Sequence, residues 1–475
     1  MRLNLKISLM VYLSVCWLIW PHQAVAENYT FSRAWQEIQQ ISDVLAAERA
    51  NVERSELMQD ATKSLNFPQV EISGSYTHLD DEVKVNALDF NPLTGLQDNP
   101  IGQDIIEAMG GPSAFTTEIT NQSFGRLALT ALWPIYTGGR ITAAQDISAA
   151  QTDIASQLFD VQRRTVFEQL VKTYFGVVLA QQNLETHQQA EAGYVKHLDD
   201  AQKLEKEGQI SKVERLSVAV AHDRSMVTRR KAQKALEIAR ISLRQLLHTE
   251  LDVYPTDHLF TNVEIPPDQA FITSSLDSSP LLKSLQARDR ELQAIESAKR
   301  GRYYPEVFLF ADYALYQDNS IVSDLLPEWQ VGIGFTVPLH DRLNRGKNID
   351  ANLKAQESVA RLSDSTRRAL TVATQVVHKE AQQALQEYEG LGSSLELANE
   401  NLVLRQEAFN EGFSTSSQLI DAQIFVSVAR TERSAAAYHY IVSLAQLLAL
   451  SGEVNSFDHY QNTARQDAGF MESSK

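Results

Sequence analysis

One segment occurs twice in this chain, and in both copies the period of the apolar residues changes partway along. Phe67-Pro68-Gln69-Val70-Glu71-Ile72-Ser73-Gly74-Ser75-Tyr76 returns with the same phasing as Tyr304-Pro305-Glu306-Val307-Phe308-Leu309-Phe310-Ala311-Asp312-Tyr313. Before each aromatic-proline pair the apolar spacing is helical, about 3.6, and after it the spacing is two. Each copy therefore predicts a helix that turns into a strand. A reverse transition, strand to helix, follows at Leu132-Trp133-Pro134-Ile135 and again at Thr336-Val337-Pro338-Leu339. The unit is helix, strand, strand, helix, and it is duplicated.

A chain of 475 residues ordinarily divides into two or three domains, but 20 Gly and 13 Pro supply few loops for that length, so long uninterrupted elements are implied. Charge counts of 43 Lys plus Arg against 60 Asp plus Glu give a formal net of -17, which argues against a nucleic-acid partner. The first residues, Arg2 and Lys6, then the apolar run Ile7 to Trp20, then Ala24-Val25-Ala26, have the layout of a secretory signal peptide over residues 1–26. Acylation of Cys16 is disfavoured because Val15 is bulky where such boxes carry a small residue. Cys16 is the sole cysteine, so removal of the leader leaves no disulfide and no thiolate metal site. No later stretch has the length of apolar sequence that a membrane helix needs, so any span must be built from strands.

In the exported chain, Thr30 to Leu65 reads as one helix, with Phe31, Trp35, Ile38, Ile41 and Val44 at steps of three and four. A hairpin over residues 68–136 follows. Val70, Ile72 and Tyr76 alternate with Glu71, Ser73, Ser75 and Thr77; on the return, Leu127, Leu129, Ala131 and Trp133 alternate with Arg126, Ala128 and Thr130. Residues 80–123 read as a long irregular loop with a short helix at Asp104 to Met109. Helical spacing then resumes for roughly 65 residues, a rod of about 100 Å. Gly208-Gln209-Ile210-Ser211 breaks it, and a second helix from Lys212 to about His248 completes a helical hairpin over residues 140–250. Pro255, Pro266 and Pro267 make residues 251–276 a break, a collar segment before another helix from about Ser279 to Arg302.

The second half, residues 277–452 against 27–276 for the first, repeats the plan with a hairpin at 305–338 and helices over 345–452. Trp329 to Val337 places Val331, Ile333, Phe335 and Val337 opposite Gly332, Gly334 and Thr336, whereas Phe308 and Phe310 make the polar side of the preceding strand less polar than its counterpart. From Val377 a four-three spacing through Ala381, Ala384, Tyr388, Leu391, Leu395, Ala398 and Leu402 to Phe409 is a coiled-coil seam, breached by Arg405. Gly412-Phe413-Ser414-Thr415 ends this rod. An offset of 204 residues separates both Gly208 from Gly412 and Pro134 from Pro338, which makes accidental similarity a poor explanation. Residues 453–475 are polar and aperiodic and read as a flexible tail.

Strands of about 9–11 residues with one apolar face fit a barrel wall in an outer membrane. Four strands cannot close such a barrel, and open edges are not tolerated in lipid, so the chain must pool its strands with copies of itself. Continued by paired helices, the wall becomes a duct.

The aromatic-proline joins, the turns after Pro134 and Pro338, and the tips Glu207-Gly208-Gln209-Ile210-Ser211 and Glu411-Gly412-Phe413-Ser414-Thr415 resemble those of the TolC-like outer-membrane efflux proteins, over nearly all of the exported chain. The resemblance implies a mainly α fold with β: a homotrimer with a twelve-stranded transmembrane β-barrel, an α-helical periplasmic barrel and an equatorial collar. It implies a passive exit for drugs or secreted proteins, in a tripartite efflux pump or type I secretion system, placed in the outer membrane of a Gram-negative bacterium. Its implied partners are outer-membrane lipid, a periplasmic membrane-fusion adaptor and an inner-membrane RND or ABC transporter; no cofactor is implied. By position, the adaptor would meet Gly208, Ile210 and Ser211 and Gly412, Phe413, Ser414 and Thr415. Asp421 matches an acid that rings the periplasmic entrance in the family, Gln418 replaces a second acid one turn earlier, and Glu214 stands at the matching place in the first hairpin. Ser414 replaces an arginine that ties the closed entrance in some members, so any closing network must use other residues. Both glycines also serve simply as helix stops, and Asp421 also suits a solvated carboxylate near a helix N-terminus.

Enzymatic chemistry has no constellation to rest on. His187, His197 and His222 lie on long helices without a second ligand at i+4 and read as surface residues. Gly332-Ile333-Gly334 lies inside a strand, and no nucleophile elbow or phosphate-binding loop occurs. A secreted coiled-coil protein or adhesin accounts for the heptads but not for the duplicated amphipathic strands, and a conventional porin does not account for the helices.

Overall fold

The computed structural model describes residues 27–90, 94–318, 327–339 and 344–466. The signal-peptide expectation for residues 1–26 lies outside them. The chain divides into two units: residues 54–152 with 287–360 form one, and the flanking segments, with 153–286 and 361 onward, form the other. In chain order the elements are β1 (Glu27–Tyr29), α1 (Phe31–Ile41), α2 (Asp43–Lys63), β2 (Gln69–His78), β3 (Val83–Asn86), α3 (Pro100–Ala108), β4 (Thr116–Thr120) and β5 (Ser123–Tyr136). Then come α4 (Arg140–Lys206), α5 (Lys212–Leu246), β6 (Val253–Pro255), β7 (Phe260–Thr261), α6 (Asp268–Ser278), α7 (Pro280–Gly301), β8 (Glu306–Gln317), β9 (Trp329–Thr336), α8 (Arg345–Asn410), α9 (Ser416–Ser451), α10 (Phe457–Asn462) and β10 (Arg465–Gln466).

The first unit is built on a four-stranded antiparallel sheet in the order β2-β5-β8-β9. Period-two alternation gives it two unlike faces. On one, Val70 (59 % exposed), Ile72 (65 %), Ile333 (69 %) and Phe335 (76 %) project without protein cover. On the other stand Glu71, Thr130, Asp312 and Gln330, aligned across the four strands. Asp312 pairs with Arg126 on that face. Phe308 and Phe310, the departure from the alternation, are opposite Gly334 and Gly332 in the register. A Cβ on Gly332 would come within 2.6 Å of the Phe310 ring, and one on Gly334 within 2.6 Å of the Phe308 ring. The two rings lie across the two glycines and cover backbone that has no side chains of its own, the cross-strand compensation that phenylalanine supplies to glycine.

The joins follow from local chemistry. A 3₁₀ turn at Ser64–Asn66 ends α2, and Pro68, which has no N–H to continue a helix, starts the strand. Trp133 Nε1 donates to the Asn66 carbonyl at 2.8 Å, which ties the helix-to-strand join to the strand leading to the other. Pro134 lies at a register shift between β5 and β8, the kind of position where a strand tolerates proline. Gly138 has φ +63° and no room for a Cβ, which would sit 2.5 Å from the Gly301 carbonyl oxygen.

The described residues of the segment 80–123 hold more regular structure than the expected irregular loop: β3 and β4 pair as an antiparallel hairpin, and α3 starts at Pro100, capped by the Asn99 side chain accepting from Ile101 N at 3.1 Å. The helix begins earlier than the Asp104 of the sequence expectation because Asn99-Pro100 is itself a start signal, cap followed by N1 proline.

In the helical unit the expected single helix Thr30 to Leu65 breaks at Ser42, whose backbone is extended and whose Oγ accepts from Leu45 N at 3.4 Å. The serine caps a second helix where the apolar spacing alone carried straight on. The proline-rich segment likewise holds more helix than expected: α6 starts at Asp268, directly after Pro267. Two small strand pairs frame this region, β1 with β6 in parallel and β7 with β10 antiparallel. The core beside them is aromatic. Phe31, Phe167, Phe175 and Phe457 pack with ring centroids 4.7–6.0 Å apart. The Tyr174 hydroxyl lies 2.6 Å from the Tyr29 carbonyl oxygen and 2.7 Å from the Asp257 carboxylate, its one proton shared between them, and Asp257 also accepts from Phe31 N. Phe457 belongs to the segment expected to be a flexible tail. Residues 453–464 are instead packed, because Val454 and Phe457 enter the core with Tyr460 and Ala464 against it, and β10 beyond them pairs with β7.

Arg164 donates to the carbonyls of Ala449 (2.8 Å) and Ser278 (3.1 Å), so a single guanidinium caps the C-terminal ends of α9 and α6. Along the α8 seam Ala381, Ala384 and Tyr388 are buried, with the Arg433 guanidinium 4.3 Å over the Tyr388 ring. No helix among the described residues is long and apolar enough to cross a membrane.

Candidate functional site

The ends of the two helical hairpins, all within the helical unit, are built by the same device. At the end of α4, Gly208 takes φ +77°; its N–H donates to the Glu205 carbonyl (3.0 Å), and Gln209 N donates to Leu204 O (2.8 Å). At the end of α8, Gly412 takes φ +78°; its N–H donates to Phe409 O (3.1 Å), and Phe413 N donates to Ala408 O (2.8 Å). These are two Schellman caps, and a Cβ at either glycine would meet nothing within 4 Å. The left-handed backbone demands glycine there; crowding does not.

The returning helices are capped by the hydroxyls next in the sequence. Ser211 Oγ accepts from Glu214 N at 3.3 Å. Thr415 Oγ1 accepts from Gln418 N at 3.4 Å, while Gln418 Oε1 accepts from Thr415 N (3.1 Å) and from the Ser414 hydroxyl (2.9 Å). Thr415 and Gln418 thus form a reciprocal capping box. Gln418, expected at the entrance in place of an acid, is held in this local network.

Beneath the caps, Ala201, Val218, Phe409 and Leu419, one from each of the four helices, form a small core, and Ile210 packs against it. Of the expected docking residues, Ile210 therefore turns partly inward, whereas Phe413 is 85 % exposed. The first hairpin adds an ion pair, Arg215 Nε to Glu205 Oε2 at 2.6 Å. Asp421 is exposed on α9, beyond the capping network. Its charge, together with the larger effect of burial, pushes the Tyr194 phenol up to about 12.

His197, expected at the surface, is buried at 3 % exposure, edge-on to Phe409 with centroids 4.6 Å apart. Neither ring nitrogen makes a well-formed hydrogen bond among the described residues. Burial pushes its pKa down to about 4, against weaker opposing effects from the Ser416 backbone and Asp200. His197 continues the four-three run of buried positions Ala190, Tyr194 and Ala201 along α4, so the spacing carried a signal for its burial, and Phe409 from the other hairpin supplies the packing partner. The Glu205–Arg215 pair had a usable signal: shifted by the repeat offset, these positions are Phe409 and Leu419. Among the described residues no cluster of His, Cys, Asp and Glu could hold a metal ion.

The sequence matches the family model described as outer membrane efflux protein over residues 34–248 and 271–453. No curated protein sequence matches it significantly. Among solved structures, the fold is similar to that of the outer membrane protein VceC from Vibrio cholerae, with a TM-score of 0.70, 13% identity, and 89% of this chain and 96% of that chain covered. It is similar also to the Campylobacter jejuni CmeC outer membrane channel (TM-score 0.69, 13% identity, 93% and 90% covered). A third likeness is to the open state of the Neisseria gonorrhoeae MtrE outer membrane channel (TM-score 0.69, 14% identity, 89% of both chains covered). At such identities the likeness is one of fold.

Proposed function

Because the chain belongs to the outer membrane efflux protein family, a family of channels rather than enzymes, we propose that it is the passive exit duct of a tripartite efflux pump or type I secretion system. The observation that carries this reading is the four-stranded sheet, with a large apolar face exposed on one side and β2 and β9 at its two edges. In water such a face and such edges would aggregate; in lipid the face is solvated, but the edges must be paired. Three copies joined edge to edge close a twelve-stranded barrel in the outer membrane of a Gram-negative cell, with the polar face lining the lumen.

In this reading the helices extend into the periplasm. The tips at Gly208, Ile210 and Ser211 and at Gly412, Phe413, Ser414 and Thr415 dock a membrane-fusion adaptor that connects to an RND or ABC transporter in the inner membrane. Phe413 supports the assignment most directly, since a fully offered aromatic side chain is a common interface anchor. Asp421 lines the periplasmic entrance, with Gln418 and Glu214 beside the caps. Fractionation tests the proposal. Recovery with the outer membrane, and greater susceptibility of cells that lack the protein to exported compounds, are expected; recovery as a soluble periplasmic protein would overturn it.

A further inference from the structure

The polar face of the sheet is not uniform. Toward the helical ends of the strands it carries Leu132, Pro134, Phe308 and Phe310, and farther along it carries Glu71, Thr130, Asp312 and Arg126. Phe308 and Phe310 are neighbours, with ring centroids 6.5 Å apart. One side of each ring lies against glycine on β9, and both side chains stay only half-buried, so the remaining ring surface is open on this face. Beside Phe308 is a cleft of about 620 Å³, lined by Phe67, Leu132, Pro134 and the start of α4, with the Arg140–Glu306 ion pair in its wall. That volume suits a drug-sized molecule, and the mixture of apolar wall with a few polar groups is that of a small-molecule site.

Charge on the face is unbalanced. Asp312 is paired with Arg126 and Glu306 with Arg140, while Glu71 is exposed and, among the described residues, its carboxylate accepts from the Gln69 amide at 3.3 Å and makes no ion pair. Glu71 stands opposite Thr130, one step along the face from Leu132. An apolar shelf thus adjoins one uncompensated carboxylate. We infer that Phe308, Phe310, Leu132 and the adjoining cleft form a binding site for cationic amphiphilic molecules, whose aromatic or aliphatic body lies on the shelf and whose positive group faces Glu71.

This inference rests on the duct reading, in which the polar face lines the lumen; each trimer would then hold one such site per copy. Apolar bodies gain from leaving water at the shelf, and a cation near Glu71 gains from its charge. An anion of the same shape meets the carboxylate instead. The site lies on the transport path, so it would be a transient station for cargo and its occupancy would obstruct ions.

Ion current through the purified protein in planar bilayers tests this, with ethidium as the probe and tetramethylammonium and pyrenesulfonate as controls. Block is expressed relative to each variant's own open current. Ethidium is expected to block wild type, and the concentration for half block is expected to rise about threefold to tenfold in Phe308→Leu/Phe310→Leu, which keeps apolar bulk without rings. Glu71→Gln, an exposed position without a packing role, is expected to weaken ethidium block by a similar factor. The controls should block weakly and without regard to these variants. Equal ethidium block in wild type and Glu71→Gln, or block by pyrenesulfonate as strong as by ethidium, would overturn the site while leaving the duct intact. Absence of any current from wild type would overturn the duct reading, and the site with it.

Discussion

Arg215 reaches Glu205 across the first hairpin at 2.6 Å, at the two positions that Leu419 and Phe409 occupy in the second. The duplicated tips therefore close by different means, one by a half-buried ion pair and the other by apolar packing. Removing one partner of the pair by Arg215→Ala is expected to destabilise the tip by about 1 kcal/mol. Phe409→Ala, which empties part of the shared core, is expected to cost about 3–5 kcal/mol. Hydrogen exchange of the tip amides measures both. The exchanged pair Glu205→Arg/Arg215→Glu should recover most of the first loss, and an equal effect of the two single substitutions would contradict the asymmetry.

Gly208→Val and Gly412→Val are each expected to strain the backbone by about 1–2 kcal/mol, since a β-branched residue is forced into the left-handed region. No neighbour blocks the new side chain, so subunit assembly should survive. Export is expected to fall, because the caps set the shape of the proposed docking surface. Susceptibility assays alongside the detergent-resistant oligomer check this; wild-type export with both tips altered would remove the docking assignment.

His197 makes the tips sensitive to acid. Its native pKa is held near 4 by burial, below the ordinary histidine value, so the unfolded tip binds the proton more readily than the folded one. The stabilising effect of a neutral His197 is complete above that ordinary value and is lost as the pH falls toward 4. Between pH 6.5 and pH 5 the local stability is expected to drop by about 1–2 kcal/mol. Proteolysis within the tips as a function of pH measures it, and His197→Phe should flatten the profile. An identical acid sensitivity in His197→Phe would assign it to other groups.

Much of this was legible from local pattern. The left-handed glycines, the capping hydroxyls and the change of apolar period depend on residues within a turn or two, and the repeat offset exposed each of them twice. What escaped was set by distant neighbours. Phe308 and Phe310 break the alternation for a reason that lies on β9, where Gly332 and Gly334 need cover. Period shows which residues share a face, not which bare backbone they protect. Val454 and Phe457 turn a polar tail into packed structure with two core side chains, too few for any periodicity, whereas the burial of His197 against Phe409 follows the Ala190, Tyr194 and Ala201 spacing and was open to reading. Ser42 is invisible to spacing for the opposite reason: a local cap interrupts a helix whose apolar spacing continues unchanged.

Asp421 gives the entrance reading its test. Three exposed carboxylates around one axis would attract multivalent cations, as acidic rings do in cation channels. Asp421→Ala is expected to raise single-channel conductance and to relieve block by multivalent cations. Unchanged conductance and block would return Asp421 to a solvated helix face near the α9 N-terminus.

The central claim is that a chain with four barrel strands completes its wall with two further copies. Mass measurement of the particle released from the outer membrane by mild detergent tests it most directly. The expected particle contains three chains and stays assembled without any cross-linker; a monodisperse single chain, folded and membrane-derived, would contradict it.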